Sequence, residues 1–362
     1  MLTPEKKVAL FDGLVIPAHP LALHENRQLD VSRQRALTRY YMASGAGGIA
    51  VGVHTTQFEI RDVGLLEPVL RLAAQTVQEV LAARGRDGEN AQVREGSPST
   101  FLMLAGVAGP IEQAVREANI ARDLGYDLAL VSPGGLGDYD EAYLLKRIQA
   151  VADVLPVFGF YLQPAVGGRY LSYEFWRQAA EIPGVMAIKM APFDRYQTLD
   201  VVRAVCSSTR RDEITLYTGN DDHIIADLLS PYRFAIDGQV VEKQMVGGLL
   251  GHFSVWTKRV VEIFDEVRRA RKSGLVPQEL LTLANEITDA NAAFFDPQHY
   301  FKGSIAGIHE VLRRQGLLEG IWCINPEETL SPGQLEEIDR VYRMYPHLND
   351  DDFVKAHLSE WC

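Results

Sequence analysis

From its start to about residue 250, the chain alternates short apolar runs with longer segments in which apolar residues recur every three or four positions. Continuous runs of aliphatic and β-branched residues are typical of strands buried on both faces, and the three-to-four spacing is typical of amphipathic helices. The pattern therefore predicts repeated βα units. Eight runs fit the strand pattern: residues 13–18, 48–53, 101–107, 128–131, 157–161, 185–189, 214–218 and 245–250.

Eight such units favour a closed (β/α)8 TIM barrel, because parallel strands buried on both faces need a crossover helix between each pair. An open doubly wound sheet is the competing architecture, but no GxGxxG or GxxxxGK[ST] motif follows an early strand. After Trp256 the strand pattern stops. Helical patterns then follow at 256–272, 277–294, 303–315 and 332–345. We predict a barrel over residues 1–272 and a C-terminal helical domain over residues 273–362.

Two polar inserts interrupt the pattern. Residues 84–100 are rich in Gly, Arg, Glu and Ser, and residues 230–244 precede the last predicted strand. Both are predicted to be surface loops or local decorations of the barrel. Residues 349–352 are acidic and are predicted to be exposed.

Composition narrows the class of protein. The 362 residues hold 36 Lys and Arg against 48 Asp and Glu, a net charge of −12, which disfavours a general nucleic-acid binder. Cys206, Cys323 and Cys362 are scattered and form no CxxC motif, which argues against a disulfide framework and a zinc site. No apolar run approaches the roughly 20 residues needed to cross a bilayer. We expect a cytoplasmic protein that binds neither nucleic acid nor membrane.

Lys189 is the most informative candidate for chemistry. It stands near the C-terminal end of the sixth predicted strand, where barrel enzymes place their catalytic groups. Burial of a lysine disfavours the ammonium and lowers the pKa, so that the amine becomes a nucleophile able to form a Schiff base with a carbonyl compound. A lysine that reaches solvent or pairs with an acid is the competing interpretation.

Tyr161 ends the preceding predicted strand, 28 residues before Lys189. One βα unit separates the two, so both side chains could point into the same barrel mouth, where a phenol can move protons. A buried tyrosine with a hydrogen-bonded hydroxyl is the structural alternative.

The loop after the second predicted strand contains His54, Thr55 and Thr56. Threonine hydroxyls and loop amides can hold a carboxylate, which suits a 2-oxo acid, although such residues also serve as turns and caps. His54 with Asp221, Asp222 and His223 raises the question of a metal site. N-capping of the following helix is the simpler explanation for the residues after Asn220.

Together these features resemble the dihydrodipicolinate synthase and N-acetylneuraminate lyase family of lysine-dependent barrel enzymes. That family has a Gly-Thr-Thr-Gly-Glu type loop after the second strand, a Tyr-Asn-x-Pro segment ending the fifth, and an apolar run ending in the Schiff-base lysine on the sixth. The corresponding segments here are 52–58 (GVHTTQF), 161–164 (YLQP) and 184–189 (GVMAIK). Residues 301–303, Phe-Lys-Gly, also stand in a family-like context.

The resemblance implies roles for individual residues. Lys189 forms the imine and Tyr161 is the acid/base phenol. Thr55 and Thr56 hold the keto-acid carboxylate, and Thr56 or Thr55 relays protons with Tyr161. The loop is one residue longer than the family pattern, so His54 and Thr55 could instead take the two hydroxyl positions. Gly219, Asn220 and Asp221, at the end of the seventh predicted strand, are expected to contact the substrate.

Two departures bear on the substrate. Dihydrodipicolinate synthases carry an arginine two residues after the proline of the Tyr-Asn-x-Pro segment, where this chain has Val166, with Arg169 three residues further on. They also carry a tyrosine after the proline of the fourth-strand loop, where this chain has Gly134 and Gly135, with Tyr139 displaced. A lysine-biosynthesis enzyme is thus disfavoured, while the imine-forming residues remain.

We therefore expect an aldolase or dehydratase that acts on pyruvate or a 2-keto-3-deoxy acid without metal or organic cofactor. The resemblance also implies a homotetramer or homodimer. One alternative is a catalytically silent barrel that binds a small metabolite as a sensor or scaffold. Another is a metal-dependent aldolase that uses His54 and His223.

Overall fold

A computed structural model describes residues 2–87 and 100–362. Its strands, numbered in chain order, are β1 (Val15–Pro17), β2 (Gly48–Val51), β3 (Leu102–Val107), β4 (Leu128–Val131), β5 (Val157–Leu162), β6 (Val185–Ala191), β7 (Thr215–Thr218), β8 (Pro231–Ile236) and β9 (Gln239–Leu250). Its helices are α1 (Pro4–Asp12), α2 (Val31–Ser44), α3 (Leu66–Asp87), α4 (Ile111–Asp123), α5 (Glu141–Ala152), α6 (Tyr173–Glu181), α7 (Arg195–Cys206), α8 (Ile224–Leu229), α9 (Thr257–Ser273), α10 (Gln278–Phe295), α11 (Ser304–Arg314), α12 (Gln334–Met344) and α13 (Asp351–Trp361).

The strands form one sheet in the order β1-β9-β7-β6-β5-β4-β3-β2, with β8 paired to β9. The pairs from β3 to β7, and β7 with β9, are parallel. Helices alternate with these strands, and α10 to α13 follow the last one. The predicted (β/α)8 TIM barrel with a C-terminal helical extension is confirmed.

The chain divides into two compact units. The first consists of Met1–Leu14, Leu104–Leu250 and Glu266–Thr288, and the second of Val15–Met103, Gly251–Asp265 and Asp289–Cys362. These boundaries differ from the predicted boundary at residue 272, and the division into a barrel domain and a helical domain stays a prediction.

The continuous apolar runs form strands because both faces of each strand are buried. In β4 the four residues Leu128 to Val131 are at most 4 % exposed, and all six residues of β5 are buried. Helix ends follow local capping chemistry. α2 begins where the Asp30 carboxylate accepts from the Arg33 amide, and it ends at Gly45, whose positive φ of 94° suits glycine.

The polar segment 230–244 is a regular antiparallel hairpin formed by β8 and the first half of β9. It is thus a local decoration, and its alternating exposed and half-buried residues explain why it lacks the apolar run of a core strand. The other predicted insert, 84–100, lies mostly outside the described residues, and α3 continues to Asp87 at its start.

The acidic segment 349–352 corrects a prediction of exposure, because Asp350 is buried. Its carboxylate accepts from the Tyr40 hydroxyl at 2.7 Å, the Lys258 amide at 2.9 Å and the Gln315 Nε2 at 2.7 Å. A buried carboxylate is tolerated when several donors satisfy it. None of the described helices combines the length and apolar character needed to span a membrane.

Candidate active site

Lys189 lies on β6, in the first unit, and only 8 % of its surface is exposed. The sheet register pairs it with Phe160 of β5 and Tyr217 of β7. Residues paired in this way point to the same face of a sheet, so the three side chains share one face. The Lys189 Nζ atom lies 4.2 Å from the centroid of the Phe160 ring, above its face.

Gly219, which follows β7, leaves room for the lysine side chain. A Cβ atom at position 219 would lie 2.5 Å from Lys189 Cε and 2.9 Å from the Cβ of Ala191. Such distances do not occur between real side chains, so the absence of a side chain at Gly219 is a condition for the observed path of Lys189. The Gly219 amide donates to the Met190 carbonyl at 2.7 Å, which holds the two strand ends together.

Burial lowers the pKa of Lys189 to about 8, and the carboxylate of Asp221 opposes this shift. Desolvation penalises the ammonium, whereas a nearby negative charge favours it. Asp221 is itself buried, at 9 % exposure. The structure thus brings Lys189, Gly219 and Asp221 together, and burial favours the neutral form of the amine, which is the nucleophilic form of a lysine.

Asn220 and Asp227 fix the loop that carries Gly219 and Asp221. Asp227, fully buried on α8, accepts from Thr218 Oγ1 at 2.7 Å, from Asn220 Nδ2 at 3.0 Å and from Arg195. Asn220 Oδ1 in turn accepts from the Phe193 amide at 3.0 Å. One carboxylate therefore ties the loop after β7 to the loop after β6, and the order of both loops depends on it.

Tyr161 does not share the face of Lys189. It pairs with Met190 in the register, and its ring packs against Trp176 of α6 at a centroid distance of 5.3 Å. Its hydroxyl donates to Gln197 Oε1 at 2.6 Å and accepts from the Leu171 amide at 3.1 Å. Burial raises the pKa of Tyr161 to about 12. In this conformation the phenol links β5 to α7 and lies on the face of β5 opposite the amine.

The threonine loop belongs to the second unit. Thr55 Oγ1 donates to the Ala18 carbonyl at 2.7 Å, and Thr56 Oγ1 donates to the His19 carbonyl at 2.7 Å. Thr56 Oγ1 also accepts from the Gly52 amide at 3.0 Å. A hydroxyl can donate only one hydrogen bond, and both threonine hydroxyls donate theirs to backbone carbonyls. His54, half-buried beside them, lies 6.0 Å from the Phe58 ring.

The two departures near the substrate site have structural counterparts. Arg169 donates to the carbonyls of Leu136, at 3.3 Å, and of Tyr139, so its guanidinium holds the loop between β4 and α5. The Tyr139 ring stacks on Tyr143 at 4.2 Å. Both side chains therefore have structural partners of their own in the first unit.

Potential metal ligands converge at a different place. Within the described parts of the chain, a group of three or more such side chains occurs at His24, Asp30 and Glu319, in the second unit. It includes neither His54 nor His223. The imidazole of His24 hydrogen-bonds to Glu319 at 3.2 Å, while Asp30 caps α2.

The sequence of this chain is similar to those of known lyases. No family model matches the chain. N-acetylneuraminate lyase 2 of Escherichia coli O6:H1 (strain CFT073) is 22 % identical over 332 residues, covering 90 % of this chain and 92 % of that protein. In sequence the chain is thus similar, at low identity, to N-acetylneuraminate lyases, in keeping with the resemblance to the dihydrodipicolinate synthase and N-acetylneuraminate lyase family. These named relatives are lyases.

Solved structures share the fold. A dihydrodipicolinate synthase from Oceanobacillus iheyensis superposes with a TM-score of 0.71 at 13 % identity, covering 95 % of this chain and 99 % of that one. A prophage protein of the dihydrodipicolinic acid synthase family from E. coli K12, solved in complex with pyruvate, has a TM-score of 0.71 at 17 % identity, covering 94 % and 99 %.

The sequence did not single out two residues that the structure places at the site. Phe160 lies under the amine, and Asp227 holds the neighbouring loop. The alternation along β5 contains the signal for Phe160, because Phe158 and Phe160 must share a face. Asp227 has no such signal, since an acidic residue in the first turn of a helix is usually read as a favourable charge near the helix N-terminus.

Proposed function

We propose that this protein forms an imine between the Lys189 amine and a 2-oxo acid, such as pyruvate or a 2-keto-3-deoxy acid. The imine then undergoes aldol cleavage, aldol addition or dehydration. The buried amine of Lys189, with a pKa of about 8, carries the proposal. The lowered pKa leaves a much larger fraction of neutral amine near pH 7.5 than the roughly 0.1 % of an unperturbed lysine. The pyruvate complex of a protein with the same fold supports the substrate class.

The chemistry follows from the amine alone. The neutral nitrogen of Lys189 bonds to the ketone carbon, and the carbonyl oxygen leaves as water, taking one proton from the nitrogen and one from solvent or an acid. The product is a protonated imine, which draws electrons from a C–C or C–H bond on the carbon next to the imine carbon. In this proposal Gly219, Asn220 and Asp221 contact the substrate. An acid/base role for Tyr161, or a relay through Thr56, requires those hydroxyls to leave the partners described above.

Borohydride trapping tests the proposal. We expect wild-type protein treated with pyruvate and borohydride to carry a stable adduct that peptide mass spectrometry locates on Lys189, and we expect Lys189→Ala to carry none. Lys243→Ala is the matched control, because the half-buried Lys243 also has a pKa lowered by burial yet lies at the other end of the sheet, beside Asp212. Absence of an adduct with every 2-oxo acid tried contradicts the mechanism.

A ligand-binding barrel without turnover is the second candidate. It is favoured by the backbone hydrogen bonds of Thr55 and Thr56 and by the position of Tyr161 on the face of β5 opposite the amine. A sensor keeps its affinity for the ligand in Lys189→Ala, whereas an imine-forming enzyme loses all turnover. Calorimetric titration of both proteins with pyruvate separates the two.

Two further proposals rest on the sequence. We propose that the protein is cytoplasmic, which its three scattered cysteines support, and that it assembles as a homotetramer or homodimer, which the family resemblance supports. Light scattering on the purified chain measures the assembled mass directly.

A further inference from the structure

Phe160 presents the face of its ring to the reacting nitrogen. The ring is buried, with 4 % of its surface exposed, and Lys189 Nζ lies 4.2 Å from its centroid. A cation within about 6 Å of a ring face is attracted by the negative charge above the ring, and the attraction grows when water is excluded. Any positive charge that forms at this nitrogen is therefore stabilised by Phe160.

Two states of the nitrogen carry such a charge. One is the ammonium of the resting lysine, and the other is the protonated imine formed after water leaves. The resting ammonium has the Asp221 carboxylate as a second source of stabilisation. Tyr217, the third side chain on this face, is uncharged near neutral pH, since burial raises its pKa and its hydroxyl donates to the Leu10 carbonyl.

We propose that Phe160 is a catalytic residue whose ring face stabilises the protonated imine on Lys189 and so raises the fraction of bound substrate that is held as this electron-withdrawing intermediate. This inference rests on the proposed imine mechanism. The bond that forms joins Nζ to the ketone carbon, and the C–H or C–C bond that later breaks is on the carbon next to the ketone carbon. The positive charge stays on the nitrogen until the electrons arrive, which is the interval in which the ring acts.

The same strand offers a matched control. Phe158 lies two residues earlier on the same face of β5, and its ring meets Tyr217 edge to face at 5.1 Å. A change of Phe158 to leucine removes a buried ring of equal size from the same core. A general packing effect therefore appears in both variants, whereas an effect on the charge at the nitrogen appears only at Phe160.

The test compares Phe160→Leu, Phe160→Tyr and Phe158→Leu with wild type. Each protein is assayed for borohydride trapping of pyruvate and for exchange of the pyruvate methyl protons with deuterated water, measured by NMR against pH. We expect Phe160→Leu to exchange about tenfold more slowly at its plateau. The rising part of its pH–rate profile (the acid limb) should also move to lower pH. The reason is that the Lys189 ammonium, which competes with imine formation, is no longer stabilised by the ring. We expect Phe160→Tyr to keep at least a third of the wild-type exchange rate. We expect Phe158→Leu to keep the wild-type acid limb and an exchange rate within about twofold of the wild-type rate.

The outcomes separate the two proposals. If wild type forms no adduct, the imine mechanism fails and this inference fails with it. If wild type is trapped and Phe160→Leu keeps both the wild-type rate and its acid limb, only the role of Phe160 is overturned. Equal losses in Phe160→Leu and Phe158→Leu overturn it as well. If Phe160→Leu does not fold, Phe160→Met against Phe160→Tyr makes the same comparison.

Discussion

Gly219 lies against the side chain of Lys189 so closely that a single added carbon would stand 2.5 Å from Lys189 Cε. We therefore expect Gly219→Ala to displace the lysine and to lower the rate of imine formation at least about a hundredfold, because small misplacements of a reacting group are costly. Adding borohydride at successive times and measuring the amount of trapped adduct gives that rate. Gly137→Ala is the control, since a Cβ there meets nothing within 4 Å. Unchanged trapping in Gly219→Ala would show that the lysine has another path.

The pH dependence of imine formation follows from the groups around the amine. The folded-state pKa of Lys189 is about 8, so the rate should rise with pH and level off above about pH 8. Asp221 stabilises the ammonium, and its removal in Asp221→Asn lowers the pKa of Lys189 further. The rising limb should then move to lower pH. A limb that moves to higher pH in this variant contradicts the assigned electrostatics.

Lys189 also destabilises the fold near neutral pH. Its pKa is lower in the folded state than in the unfolded chain, so at and below about pH 8 the folded protein buries an ammonium that the unfolded chain solvates. We expect Lys189→Met to be about 1–3 kcal/mol more stable than wild type at pH 7 in urea unfolding. That advantage shrinks as the pH rises from 8 toward 10. Lys355→Met, at an exposed position, is the control for replacing a lysine by methionine.

Tyr161→Phe decides what the phenol does. In the observed position its hydroxyl bonds Gln197 and Leu171, so its loss should destabilise the protein by about 1–3 kcal/mol and reduce turnover less than about tenfold. Thermal unfolding and the methyl-exchange assay measure the two effects. A loss of turnover above a hundredfold with unchanged stability would instead mean that the ring turns toward Lys189 during the reaction.

Asp227→Asn should disturb two loops at once. The substitution replaces a carboxylate that accepts from Thr218, Asn220 and Arg195 with an amide, and it removes the buried negative charge that pairs with the partly exposed guanidinium of Arg195. We expect a loss of about 2–4 kcal/mol in unfolding free energy and a raised KM for the 2-oxo acid. Asp200→Asn, which removes a half-exposed ion pair with Arg203, should cost less than about 1 kcal/mol.

The positions of strands could be predicted where burial on both faces leaves a continuous apolar signal, as at Leu128–Val131, where prediction and structure agree. The facing of side chains across strands could not. Val157 pairs with Val185 but Phe158 pairs with Ala187, so Met186 is an extra residue on β6. This bulge moves the partner of Lys189 from Tyr161 to Phe160, and a shift of one residue reverses the face of a side chain.

The same limit applies to the polar segments. The hairpin of β8 and β9 and the burial of Asp350 depend on partners far away in the sequence. Local composition marks both segments only as polar. Lys189 and the residues from Gly219 to Asp221 could be predicted to lie near one another because they stand at or near the C-terminal ends of buried strands, and the carboxyl ends of parallel strands meet at one edge.

The carboxylate of Asp350, at the start of α13, gathers donors from α2, α9 and the end of α11. Anyone shortening this protein for expression or crystallisation should therefore keep the chain beyond residue 349. Truncation at residue 349 removes the acceptor of hydrogen bonds from a tyrosine hydroxyl, a main-chain amide and a glutamine side chain, which are then unsatisfied. The second unit loses three hydrogen bonds between its elements as a result.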